Sequence, residues 1–306
     1  MPAGHMGYGQ RMTNSRFANA VPLLAVLGSV TALGIGTSYA KHLFPLVGAL
    51  GTTALRVGFS ALLLVLIWRP WRYPLSRADR VSLLRYGVAL GFMNLLFYMS
   101  LRTIPFGVAV AIEFSGPLAV AMWGSRKPVD FVWLALAVVG LGLLLPLDQD
   151  VAQLDPTGVG YALAAAVFWA SYIVFGKRVG HLSTGHSVSL GLSVAACTVA
   201  PFGIWQAGAS LLDPWILIYG LGVAAVSSAI PISLEMVALK RLPQGAFGIM
   251  TSMEPAVAAL LGLMVLDERL SATQWLAIGC TMLAAAGSSL TASPAQKHSE
   301  PSDVVM

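Results

Sequence analysis

The chain reads as ten apolar runs, each close to twenty residues, separated by short polar gaps. They cover residues 20–40, 46–67, 81–101, 104–123, 129–147, 157–177, 186–206, 214–237, 243–266 and 272–291. About 20 apolar residues at roughly 1.5 Å rise cross the hydrocarbon core of a bilayer. Backbone amides in lipid find no water, so a run of this length satisfies its own hydrogen bonds as a helix. The pattern predicts an all-α membrane protein with ten transmembrane helices. Residues 1–19 are polar and Gly-rich and are expected as a tail. Residues 292–306, polar and Pro-containing, are expected as a disordered one. Ser38-Tyr39-Ala40 resembles a signal-peptidase site. The Ser-Tyr pair recurs as Ser171-Tyr172 late in the sixth run, so the first run is read as a retained helix.

Two runs share an internal pattern. LRTIPFGVAVAIEFSGP (101–117) and LKRLPQGAFGIMTSMEP (239–255) align Pro105 with Pro243, Gly107 with Gly245 and Pro117 with Pro255. Each has one carboxylate near the middle of its run, Glu113 or Glu254, although Glu113 aligns with Thr251 and Glu254 with Gly116. Five runs per half is an odd number, so the second copy must enter the bilayer from the opposite side. The expectation is two inverted five-helix repeats, 20–147 and 157–291, joined by an acidic linker at 148–156. Loop charge orients them. With the N-terminus in the cytoplasm, Arg11, Arg16, Arg69, Arg72, Arg77, Arg80, Arg126, Lys127, Lys177, Arg178, Lys240, Arg241 and Lys297 lie inside, against Lys41, Arg102 and Arg269 outside. Both termini are therefore expected in the cytoplasm.

Composition agrees with a lipid-solvated chain: 57% apolar and 10% charged, against about 25% charged in soluble domains. The net charge of +5 raises the question of nucleic acid. The basic residues sit in gaps where they orient membrane helices, not in one clustered footprint, so no nucleic-acid partner is expected. Cys197 and Cys280 lie inside apolar runs without a CxxC or a paired His, and are read as small core hydrophobes, not metal ligands. No GxxxxGK[ST] occurs, so ATP bound to this chain is not the driving force. The absence of HExxH and GxSxG disfavours an enzyme, and no cofactor is expected. Trp68, Trp71, Trp133, Trp215 and Trp275, near run ends, are read as interfacial anchors.

The candidate chemistry lies in the runs. Arg56, Glu113 and Glu254 fall near run centres, where each charge costs about 2.5–3.5 kcal/mol on the insertion scale. Pairing or protonation must offset that. Arg56 can neutralise one glutamate, and the other, taken out of water, becomes a proton carrier, which makes Glu113 and Glu254 the proton-coupling candidates. Pro117 has no N–H for the carbonyl of Glu113, and Pro255 has none for that of Thr251. Each half thus offers a bare carbonyl where irregular backbone lines a cavity. An amino-acid ammonium suits such oxygens, and Arg56 suits the substrate carboxylate. Asn94 and Tyr98, one turn apart, join the candidate substrate-binding set with Trp169, Tyr172, Ser227 and Thr251. Glu235, shortly before Lys240, is read as snorkelling or pairing locally.

LFPLVGALGTTALR (43–56), AVAIEFSGPLAVAM (109–122), SRKPVDFVW (125–133), LLLPLDQDV (143–151), SLEMVALKRLP (233–243) and GIMTSMEPAVAAL (248–260) resemble the drug/metabolite transporter superfamily, in particular its ten-helix exporters built from two EamA repeats. The likeness runs from about residue 20 to 291. It implies export of small hydrophilic amino acids, such as threonine or homoserine, across the bacterial inner membrane by alternating access. Export of aromatic amino acids or drug-like cations on the same fold is the alternative.

Overall fold

A computed structural model describes residues 8–72, 74–104, 106–125, 127–144, 155–254, 256–257 and 272–291. Pro255, the acidic linker up to 154, the second half of the ninth run and the C-terminal tail lie outside the described residues. The rest is helical, with no strand among the described residues. The elements are α1 (Tyr8–Ala40), α2 (Phe44–Trp68), α3 (Arg77–Ser100), α4 (Phe106–Glu113), α5 (Ser115–Gly124), α6 (Pro128–Leu144), α7 (Pro156–Arg178), α8 (Thr184–Ala207), α9 (Pro214–Ala224), α10 (Ile230–Arg241), α11 (Gln244–Thr251) and α12 (Ala272–Thr291). Among the described residues, 5 helical segments are long and apolar enough to cross a membrane: α2, α3, α7, Thr184–Leu212 and Pro214–Arg241; Val21–Thr37, Pro128–Leu143 and Trp275–Ser288 are shorter apolar helices.

Polar side chains start four of the helices close to where their apolar runs begin. Ser76 accepts from the Asp79 amide at 3.1 Å, Asp155 from Thr157 at 2.9 Å, and Ser183 from His186 at 3.3 Å. Asp213 accepts from the amides of Trp215 at 2.8 Å and Ile216 at 3.3 Å. Each occupies amides that the first helical turn leaves without partners. The Thr157 amide holds the Asp155 carboxyl below the usual carboxylate range. Pro156 and Pro214 follow their caps, where a missing N–H costs nothing.

Three runs are broken in ways that matter for the interior. In α2, Gly48 takes φ +71°, and the amide of Leu50 donates to the side-chain oxygen of Gln206 on α8 at 2.8 Å. The fourth run divides at Phe114 into α4 and α5. The eighth divides at a π-helical turn, Ala225–Ala229, between α9 and α10.

The helices pack in pairs: α2 on α8, α3 on α7 and α8, α6 on α12, α1 on α10, and α5 on α11. Small residues permit the closest approaches. A side chain at Gly116 would run into the Ala166 backbone on α7, and one at Gly248 into the carbonyl of Pro117. Such small-residue seams are how helices associate where lipid tails remove the hydrophobic drive. Large apolar side chains also cover the outside, including Leu62, Ile67, Trp123, Val167, Trp205 and Leu290, as a lipid-facing surface requires. Trp68, Trp71, Trp215 and Trp275 are exposed, whereas Trp133 is half-buried and donates to Thr291 Oγ1 at 3.1 Å. Cys197 is exposed on α8, not in the core as its apolar surroundings suggested. In a membrane helix the lipid face is as apolar as the core face, so composition does not separate them.

Candidate functional site

A cavity of about 80 Å³ lies among α1, α2, α3, α7, α10 and the α4–α5 break, and it gathers the intramembrane charges. Arg56, Asn94, Tyr98, Glu113, Trp169, Ser227 and Glu254 all line it, together with Glu235, Thr37 and several apolar side chains. A larger groove of about 780 Å³ runs between α1, α2 and α9, lined by Tyr39, Leu46, Trp215 and Ile218. Its walls are exposed on the outer surface, Trp215 at 78%, and it holds none of those charges. The smaller polar cavity is therefore the candidate site.

Arg56 comes from the middle of α2 and is buried. Its Nη2 donates to Asn94 Oδ1, and its guanidinium carbon lies 4.9 Å from the centre of the Tyr98 ring. Asn94 is itself fixed, because its Nδ2 donates to the Leu90 carbonyl one turn back at 2.9 Å. The one-turn spacing of Asn94 and Tyr98 on α3 thus presents an acceptor and an aromatic face to one cation. No carboxylate lies within ion-pair distance of Arg56 among the described residues, so the expected pairing with a glutamate is replaced by a neutral amide. The Nε–H of Arg56 and the hydroxyl of Tyr98 are buried without a hydrogen-bond partner among the described residues. Unmet donors are costly in low dielectric and are commonly kept for a ligand.

Glu113 ends α4 and faces the charges of Glu254 and Arg56. The chain turns on at Phe114, whose carbonyl accepts from Leu118 at 3.2 Å. Pro117 cannot do the same for Glu113, so its carbonyl lacks the normal helical donor. Phe114 meets Trp169 edge-to-face at 4.8 Å, which gives Trp169 its place in the wall. Glu254 lies just past α11, after a turn at Ser252 and Met253.

Tyr172 and Thr251, two other sequence candidates, do not line the cavity. Thr251 is buried and donates to its own helix, at Gly248 O, 2.9 Å. Tyr172 acts one step removed. Its hydroxyl donates to Glu235 Oε2 at 3.0 Å, and its ring stacks on Tyr86 at 5.3 Å. Ser227 lies in the π-helical turn and bonds its own helix at Val223 O, 2.6 Å; Ser228 Oγ is buried without a partner among the described residues.

Glu235 departs from its expected local role. It does not pair with Lys240, whose ammonium instead donates to the Leu182 carbonyl. Its carboxylate lines the cavity, bonded to Ser29 Oγ at 3.0 Å and to Tyr172. Ser29 carries no sequence signal, because a serine in an apolar helix usually turns back on its own backbone, as Ser60 does at 2.7 Å. Outside the cavity, Lys177 Nζ donates to the carbonyls of Leu239 at 2.9 Å and Leu242 at 2.5 Å, joining α7 to the end of α10. Among the described residues no cluster of His, Cys, Asp or Glu could hold a metal. His181 instead contacts Asp79 at 2.8 Å.

Residues 156–290 match the EamA-like transporter family. The chain is 48% identical over 280 residues to the threonine/homoserine exporter RhtA of Escherichia coli strain K12, covering 92% of this chain and 95% of that protein. It is likewise 48% identical to the protein of that name in Salmonella typhimurium strain LT2, covering 89% and 92%. A solved crystal structure superposes with a TM-score of 0.63 at 21% identity, covering 89% of this chain and 97% of that one, a likeness of fold.

Proposed function

Because the chain belongs to the EamA-like transporter family, we propose that it is a secondary exporter of threonine, homoserine or similarly small amino acids across the bacterial inner membrane. The observation that carries this reading is the 48% identity, over 92% of the chain, to a protein named as a threonine/homoserine exporter. The cavity agrees with it in chemistry: Arg56, Glu113, Glu235 and Glu254 line one space, and a zwitterion needs partners of both signs.

In this scheme Arg56 takes the substrate carboxylate through its unpartnered Nε–H, with Asn94 holding the far side of the guanidinium. The ammonium goes to Glu113, Glu254 and the carbonyl that Pro117 leaves bare. Tyr98, Trp169 and Ser227 shape the wall; Tyr172 and Thr251 support it from behind. Proton coupling belongs to the same reading. One guanidinium faces three carboxylates, Glu113, Glu235 and Glu254, and an uncompensated buried charge is costly, so neutrality calls for bound protons.

The movement proposed is alternating access by two inverted five-helix halves, 20–147 and 157–291, with both termini inside. Helix pairing supports the symmetry. Exchanging the halves turns α3 on α7 into α10 on α1, and returns α2 on α8, α6 on α12 and the pairing of the fourth run with the ninth to themselves. The test is efflux from cells loaded with threonine-containing peptides. Overexpression is expected to speed threonine or homoserine release and raise resistance to them; neither effect occurring overturns the substrate assignment.

A further inference from the structure

Glu235 has the most completely built surroundings in the cavity. Its Oε1 lies 3.0 Å from Ser29 Oγ, and its Oε2 accepts from the Tyr172 hydroxyl at 3.0 Å. Ser29 Oγ also lies 3.1 Å from the carbonyl oxygen of Pro231. A serine hydroxyl has one proton to give and lone pairs to accept with, so Ser29 cannot donate to both oxygens at once. Two fully bonded arrangements follow. With Glu235 ionised, Ser29 and Tyr172 both donate to the carboxylate. With Glu235 protonated on Oε1, its O–H donates to Ser29 Oγ, Ser29 turns its own proton to Pro231 O, and Tyr172 still donates to Oε2. Only hydrogens move between them, and neither state strands a buried polar group, the usual penalty for changing a buried charge.

We propose that Glu235 is the proton-exchange site of this protein, with Ser29 as its hydroxyl rotor and Tyr172 as its fixed donor. In release, the Glu235 carboxyl gives its proton to a cavity water, leaving carboxylate and hydronium, while the Ser29 proton swings from Pro231 O to Oε1. Uptake is the reverse. Glu113 and Glu254, the candidates from sequence, have no hydrogen-bond donor to their carboxylates among the described residues, so a change of charge there is not cushioned in this way. The groups facing Glu235 are Arg56 from α2, Glu254 beyond α11, Tyr172 from α7 with Tyr86 of α3 stacked on it, and Ser29 from α1. The nearby ammonium groups are engaged elsewhere, Lys240 with Leu182 O and Lys177 with Leu239 O and Leu242 O. Linking this exchange to substrate movement rests on the exporter reading; the exchange itself does not.

The experiment is infrared difference spectroscopy of the purified protein in lipid, between acidic and alkaline buffer. The protonated-carboxyl band of the wild type is expected to lose one component in Glu235→Gln. Ser29→Ala and Tyr172→Phe each remove a donor that the ionised form needs more than the neutral one. They should keep that component and move its midpoint upward by about one pH unit. A Glu235→Gln spectrum identical to wild type overturns the proposal; if that variant does not insert, unmoved midpoints in the other two overturn it. A parallel assay measures threonine and homoserine counterflow in proteoliposomes. Absence of wild-type counterflow removes the exporter reading alone, because the titration needs no substrate. Where counterflow is present, a Glu235→Gln pH profile matching wild type overturns the role in coupling.

Discussion

Arg56 offers five N–H donors in a planar fork, and its position shows how a single cation can be both held and left available. Asn94 takes one edge, Tyr98 covers a face, and Nε–H remains unpartnered. Lysine has a compact charge without that fork. Arg56→Lys is therefore expected to raise the concentration of threonine needed for half-maximal counterflow about tenfold, equivalent to ~1.4 kcal/mol. Equal affinities in the two proteins would remove Arg56 from the substrate contacts. At this scale the sequence was informative wherever residue type is rare in a membrane. Arg56, Glu113 and Glu254 stood out by charge alone, and the cavity brings them together. It was least informative where the residue type is ordinary: Ser29 matters only through its distance to Glu235 on a helix far along the chain. Glu235 itself was misread because its sequence neighbour Lys240 offered a local partner that the fold uses elsewhere.

Where a polar side chain caps the helix, at Ser76, Asp155, Ser183 and Asp213, the helix starts close to its apolar run, whereas α1 begins well before its run, at Tyr8. The interruptions were less visible. Pro117 predicted the break between α4 and α5, because a missing N–H can be read from the residue itself. The π-helical turn at Ala225–Ala229 and the kink at Gly48 could not be read so, as alanine, serine and glycine are equally common in straight membrane helices. At Gly48 a methyl group would face both a positive φ and the Gln206 side chain at 2.5 Å. Gly48→Ala should lower the stability of the protein in detergent by ~1–2 kcal/mol, read as a lower thermal midpoint. An unchanged midpoint would mean that the kink relaxes without loss.

For the whole molecule, the duplicated proline pattern was the feature that pointed to two related halves, and the two copies pack on one another through Gly248 and Pro117. Orientation was argued from loop charge, and it is open to a direct check. Reporter fusions ending at Lys127 and Thr291 should report cytoplasm, and those at Asp155 and Asp213 the opposite side; the reverse pattern would invert the proposed topology. The Gly48 kink has one more consequence. The Leu50 amide is bonded not within its own helix but to Gln206 on the partner helix α8. Exchange of that amide with deuterated solvent therefore requires α2 to part from α8, which makes it a natural clock on the seam between these two helices.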